Sequence, residues 1–309
     1  MEIVDAQVHA PLPLEPWPAG FADRDLRHVV SAELANAAME AVGVDAAVLY
    51  AGLEQCAAAH QRYPARFGGV ISVDDPDDPA QLPSPALLAE RVRSTPGILG
   101  FRILAGSPDG TGRRLALLAG GRWEPTLAAA ERAGIPVVLF VPLHMPLVAA
   151  VAAAHPELRL VVDHLGLPPP PAFPASRRFF DTIPRLLALA RAPNVAVKLT
   201  GAPALSAAPY PFDDLWPVLH QILGAFGPDR VMWGSDFTRV TGRSQHPRHP
   251  GGRHTYAELV GYLGATGELG AAEKAALFGG TVRAWFGWQP GQPAGWRPAG
   301  QTDGPRGAS

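Results

Sequence analysis

The 309 residues carry 47% hydrophobic and 17% charged side chains at a net charge of −2. That balance excludes a disordered or fibrous chain and gives no electrostatic footing for nucleic acid or an acidic membrane surface. The single cysteine, Cys56, excludes an intrachain disulfide and a thiolate zinc cage.

No secretory signal is read at Met1-Glu2-Ile3-Val4-Asp5, which lacks a basic start and a long apolar run. The most apolar segment, 135–154, is interrupted by Pro136, Pro142, His144 and Pro146. It reads as strand, turn and helix rather than as a membrane span, so a cytoplasmic protein is expected.

Short runs rich in β-branched residues and leucine occur at 3–8, 46–50, 69–73, 98–103, 136–141, 159–164, 195–199 and 230–233. Their continuous apolar character fits parallel strands covered on both faces. Helical periodicity marks 32–42, 86–92, 124–133, 145–154, 179–190 and 213–226, and 271–288 reads as a closing helix. Eight strands, most followed by a helix, predict an α/β fold, a single (β/α)8 TIM barrel over 1–288. A doubly wound open sheet shares this alternation, but no Gly-x-Gly-x-x-Gly follows the first strand. From Gln289 the chain turns to Pro, Gly and polar residues, so 289–309 is expected to be a short disordered tail.

A barrel works at the C-terminal ends of its strands. Polar residues there are Gln7 and His9 (strand one), Arg102 (strand four), His144 (strand five), Asp163 and His164 (strand six), Lys198 (strand seven) and Asp236 (strand eight). Residues at i and i+2 share a strand face, so Gln7 and His9 point together. Convergence of His9, His164 and Asp236 makes a water-activating site: a carboxylate base, imidazoles as donors or ligands, and Arg102, Lys198 and Arg239 as cations for an anionic substrate. Tyr256 and Arg239 flank a loop containing His246, His249 and His254 and are within reach of substrate. Each residue also has a plainer reading. His9 alone fits a satisfied core histidine, Asp236 a cap, Asp163 a backbone partner behind the mouth, and Arg102 and Lys198 strand-end ion pairs.

Several segments together resemble the amidohydrolase-related TIM-barrel hydrolases. They are Val4-Asp5-Ala6-Gln7-Val8-His9, Gly100-Phe101-Arg102, Val162-Asp163-His164-Leu165-Gly166-Leu167-Pro168, Asn194 to Leu199 and Trp233-Gly234-Ser235-Asp236. The branch they are most similar to contains 2-pyrone-4,6-dicarboxylate lactonase and sugar-lactone hydrolases. The resemblance implies a hydrolase that opens a lactone or cyclic ester of a carboxylate-bearing substrate. Asp236 would activate water, His164, His9 and Gln7 would stabilise the developing oxyanion, and Arg102, Lys198, Arg239, His144 and Tyr256 would bind substrate. That family's His-x-His after strand one is here Gln7-Val8-His9, and a neutral amide is a poor zinc ligand beside imidazole. Metal-free action is therefore favoured; a single divalent ion (Zn or Mn), if held, falls to His9, His164 and Asp236. Two further readings stay open: a metal-dependent decarboxylase of an aromatic or muconate-type acid, and a weakened barrel that only binds a small carboxylate. The expected partner is a small-molecule carboxylate, with no nucleic acid and no membrane, and a homo-oligomer is left open. Specificity is assigned to the loops 12–28, 106–123, 168–178, 202–213 and 238–253.

Overall fold

The computed structural model describes residues 1–9, 24–73, 83–106, 112–168, 181–240 and 254–289. Much of the loops assigned to specificity, and the tail expected beyond residue 289, lie outside the described residues. Eight strands form one sheet in sequential order: β1 (Val4–Val8), β2 (Ala46–Ala51), β3 (Phe67–Val73), β4 (Ile98–Leu104), β5 (Val137–Phe140), β6 (Leu160–Val162), β7 (Val195–Lys198) and β8 (Val231–Met232). Every neighbouring pair in that order is parallel. The first strand meets the segment after the last through Ala6 N–H to Trp233 O at 3.1 Å and Asp236 N–H to Gln7 O at 2.9 Å. The predicted barrel is the observed one.

Helices pack outside: α1 (Arg24–Val42), α2 (Leu53–Arg62), α3 (Pro85–Ser94), α4 (Arg113–Ala119), α5 (Glu124–Ala133), α6 (Met145–Ala154), α7 (Ile183–Ala188), α8 (Trp216–Phe226), α9 (Phe237–Val240), α10 (Tyr256–Gly264), α11 (Ala271–Ala275) and α12 (Thr281–Phe286). Their ends follow local chemistry. Ser84 accepts from Leu87 N–H ahead of Pro85, a side-chain cap followed by a proline whose missing N–H costs nothing there. Thr255 and Glu258 form a reciprocal capping box on α10. The single closing helix expected over 271–288 is instead broken, with a wider turn at Ala276–Gly280 between α11 and α12. There the Leu277 carbonyl accepts from Trp233 N–H at 2.9 Å, tying the helix to the end of β8. Among the described residues no helix is long and apolar enough to cross a membrane.

The strands bury both faces, which is why their sequences do not alternate. Val4, Ala6, Val48, Tyr50, Val138 and Ala196 fill the barrel interior, and Val282, Phe286 and Trp288 join them. Leu49, Phe101, Leu139, Val162 and Val197 face the helices.

One irregularity in β1 places the site. Val4 pairs with Ala46 and Asp5 with Ala47, but Val8 pairs with Leu49. Three steps along β1 thus match two along β2, leaving one extra residue. Asp5 and Val8 sit level with the outward-facing Ala47 and Leu49. The two residues between them, Ala6 and Gln7, both turn inward, and His9 follows on the inner side.

Candidate active site

The site is built at the C-terminal rim in two linked clusters. The first centres on Asp163, which directly follows β6. Its Oδ1 lies 2.9 Å from Lys198 Nζ, and its Oδ2 pairs with Arg102 Nη2. Lys198 also donates to Gln7 Oε1 and sits 4.0 Å from the centroid of the Tyr50 ring. Gln7 Nε2 lies 3.1 Å from His164 Nε2. The guanidinium of Arg102 lies 5.1 Å from the Phe140 ring centroid and 5.6 Å from that of Tyr50. Phe140 meets the His164 ring edge-on at 5.7 Å. Two cations, one carboxylate and one imidazole are therefore packed over an aromatic floor, all buried.

The second cluster is His9 with Asp236. His9 Nδ1 lies 2.9 Å from the Tyr50 carbonyl, which can only accept, so Nδ1 carries a proton. His9 Nε2 then meets Asp236 Oδ1 at 3.3 Å. The two attract when one proton lies between them. Asp236 is fully buried and neither carboxylate oxygen has a hydrogen-bond donor among the described residues. Burial without hydrogen bonds is costly for a carboxylate, and its negative charge is felt by His164 and Lys198 across the site.

Backbone conformation holds both clusters in place. His164, Leu165 and Gly166 adopt φ of +49°, +58° and +68°, and Asp236 adopts +52°. Left-handed φ is uncommon for residues with a Cβ and clusters where structure over-determines it. At Gly166 a Cβ would lie 2.5 Å from Met145 Sδ, so a larger residue would have to displace that side chain as well as hold a positive φ. The turn carrying Asp236 is fixed by Asp5. This outward carboxylate accepts from Gln7 N–H at 3.0 Å, Ser235 N–H at 2.8 Å, Tyr256 O–H at 2.8 Å and the Ser235 hydroxyl.

The electrostatics follow from burial and pairing. Burial pushes the Asp163 carboxyl up, yet Arg102, His164 and Lys198 together hold it well below the usual carboxylate range. Burial lowers the Lys198 ammonium to about 8, against the pull of Asp163. Burial also lowers His164, opposed by Asp163 and Asp236. Asp5 is raised to about 6 by burial, with its four donors opposing. Tyr50 and Tyr256 are pushed well above the ordinary phenol range, chiefly by burial.

The structure thus brings Gln7, His9, Arg102, His164, Lys198 and Asp236 to one rim. Arg102 and Lys198 reach it paired with Asp163, which turns to these two cations rather than to backbone behind the mouth. Arg102 Nε is buried with no hydrogen-bond partner among the described residues, so the guanidinium keeps donor capacity. Tyr256 reaches the site through Asp5 and stacks on Phe237 at 4.3 Å. His144 is exposed at the start of α6. Arg239 falls on α9 with its side chain outside the described residues, as are His246 and His249; His254 packs edge-on against Phe212. Sequence reasoning passed over Asp5, Tyr50 and Phe140. Asp5 and Tyr50 carried a signal, since each is a polar group within an apolar strand.

A parallel barrel with an Asp, His, Lys and Arg cluster at its C-terminal rim defines a barrel-enzyme class of site. A family model described as amidohydrolase matches residues 4–288, and the chain belongs to that family. The L-fucono-1,5-lactonase of Burkholderia ambifaria is 37% identical over 102 residues, covering 32% of this chain and 33% of the relative. The aligned stretch thus spans about a third of that curated relative. Among solved structures, an amidohydrolase from Burkholderia multivorans with bound zinc superimposes with a TM-score of 0.65 at 23% identity, covering 93% of this chain and 99% of that one. A protein assigned as a 2-pyrone-4,6-dicarboxylic acid hydrolase, from Pseudomonas putida, gives 0.62 at 23%, covering 93% and 98%. The 4-oxalomesaconate hydratase of Rhodopseudomonas palustris gives 0.60 at 16%, covering 93% and 96%. At these identities the three structures show the shared fold.

The zinc in the first of these structures raises the question of whether the residues here fit one. The Gln7 amide oxygen is taken by Lys198 and its nitrogen faces His164 Nε2. Two buried cations stand beside these groups, where a divalent ion would be repelled. Among the described residues no group of three or more His, Cys, Asp or Glu side chains is arranged to hold a metal. His9 and Asp236 alone fall short of the three protein ligands usual at catalytic zinc. Among the described residues the donor set does not fit a divalent ion.

Proposed function

We propose that this protein hydrolyses a lactone or related cyclic ester bearing a carboxylate. The observation that carries the reading is Asp236: a buried carboxylate with both oxygens lacking donors among the described residues, 3.3 Å from an imidazole, on the rim where barrel enzymes act. In this reading Asp236 takes a proton from water as the water oxygen bonds to the lactone carbonyl carbon. The carbonyl oxygen becomes an oxyanion and accepts from His164 Nδ1, and from His9 Nε2 when that ring is doubly protonated. The ring C–O bond then breaks, and the leaving alkoxide recovers the proton that Asp236 took. Arg102, with its spare Nε–H, and Lys198 attract the substrate carboxylate. The family membership and the partial match to a fuconolactonase support lactone hydrolysis over other chemistries of this fold.

The test is a substrate panel of sugar lactones and carboxylated cyclic esters, assayed by acid release with and without a chelator. Turnover that survives chelation is the expected result. Activity lost on chelation and restored by zinc or manganese overturns the metal-free mechanism. Carbon dioxide release from an aromatic or muconate-type acid, with no lactone opened, overturns the reaction itself.

A further inference from the structure

Gln7 stands where the resembled family begins its His-x-His, and its side chain is an ordered link between a cation and an imidazole. We propose that Gln7 is a positioning residue that sets the tautomer of His164: Lys198 orients the Gln7 amide, the amide nitrogen donates to His164 Nε2, and the ring proton is thereby kept on Nδ1.

The argument is one of donors and acceptors. A protonated lysine can only donate, so the amide group facing Lys198 Nζ is the oxygen. The amide nitrogen is therefore the atom 3.1 Å from His164 Nε2. An amide nitrogen also only donates, so His164 Nε2 must accept. A neutral imidazole that accepts at Nε2 carries its hydrogen at Nδ1. Every alternative sets two donors face to face. Flipping the amide opposes NH2 to the ammonium, and a hydrogen on Nε2 opposes the amide NH2. Gln7, His164 and Lys198 are all buried, so water does not relieve such a clash. The charged groups acting on His164 are Asp163, Asp236, Arg102 and Lys198, and burial, helped by the two cations, outweighs the two carboxylates in favouring the neutral ring.

His164 Nδ1 is itself buried without a hydrogen-bond partner among the described residues. Its N–H is thus a donor held in reserve, suited to a ligand oxygen such as a carbonyl. This deepens the proposed function by naming the donor atom, and it rests on that reading only for the use made of the proton.

Two-bond proton–nitrogen correlation spectra of protein labelled with nitrogen-15 histidine, near neutral pH, read the tautomer without substrate. Among the ten histidines, His164 is assigned by the signals lost in His164→Gln. The expected wild-type pattern is a protonated Nδ1 and an unprotonated Nε2. Gln7→Glu replaces the donor with a carboxylate that accepts from both Lys198 and the ring, so the proton should appear on Nε2. A wild-type ring protonated at Nε2 overturns the proposal, as does a folded Gln7→Glu protein with an unchanged pattern. If that variant does not fold, the wild-type spectrum alone decides. Lactone turnover is a separate readout: failure to open any lactone overturns the proposed reaction and leaves the tautomer assignment standing.

Discussion

Ser235 gives both its amide and its hydroxyl hydrogen to the carboxylate of Asp5, one on each oxygen. The same hydroxyl accepts from Phe237 N–H at 3.0 Å, so both chain neighbours of Asp236 are tied to β1 through one acid. Asp5→Asn turns one acceptor oxygen into a donor that faces groups already donating. Loss of about 2–3 kcal/mol is expected, because hydrogen bonds to charged groups carry about 1.5–3 kcal/mol each. The pH dependence has a definite sign. Burial raises Asp5 from 3.8 to about 6, so the folded protein binds its proton more tightly than the unfolded chain. Stability from this group is full below 3.8 and is lost as pH rises through about 6. Denaturant unfolding of wild type and Asp5→Asn should differ by an amount that shrinks across that window; a constant difference would refute it.

Asp236→Asn keeps the size of the side chain and removes the proton acceptor. A positioned base contributes about 10²–10⁴-fold, so kcat should fall by at least about 100-fold with an unchanged circular dichroism spectrum. Steady-state kinetics on a lactone that the wild type opens will decide. Undiminished turnover removes Asp236 from the role of base.

In the proposed reaction Lys198 should set an alkaline limit to activity. Burial lowers its ammonium to about 8, and above that pH Gln7 loses its donor and the substrate carboxylate a cation. kcat/KM should therefore decline as pH rises through about 8. Stability moves the other way: between about 8 and 10.5 the folded state binds fewer protons than the unfolded chain, so this group adds stability as pH rises. Comparison of the rate profile with denaturation midpoints over the same range separates titration from unfolding. In Lys198→Met the alkaline decline should vanish along with most activity.

Trp288 lies beneath the barrel interior, 1% exposed and packed with Val282 and Phe286. The Arg283 guanidinium covers its ring at 4.0 Å. Trp288→Ala should cost about 3–5 kcal/mol, the usual range for emptying a buried aromatic site. Since the site lies at the opposite rim, kcat at a permissive temperature should change little; calorimetry beside kinetics checks both halves.

The strands were legible because their apolar runs are short, rich in β-branched residues and spaced by helical periods; α5 and α6 matched to the residue. Four helices were not read, α9 among them because it is a single turn of four residues. Glu54, Gln55, Gln61 and Arg62 dilute the apolar period of α2, α4 is a short piece, and Gly261 and Gly264 break the pattern of α10. At the site, the rim position of Gln7, His9, His164, Lys198 and Asp236 followed from strand ends alone. The partners did not. Asp163 is tied to Arg102 from β4 and Lys198 from β7, and such a triplet becomes visible only once the sheet is curved into a ring. Nor does Asp5 signal from its strand that it will hold Ser235 and Tyr256, because that depends on how the strand is staggered.

The additional residue in β1 makes the chemistry there a matter of phase. Point substitution alters what stands at the rim, whereas deleting Ala6 would restore the regular two-residue beat of the strand. The barrel wall would survive such an excision, since its pairing with β2 would run unbroken, and the amide and imidazole would keep facing inward, with Gln7 drawn into the place that Ala6 now fills. The inserted alanine thus works as a spacer: it sets how far along the wall the amide stands, not which way it looks.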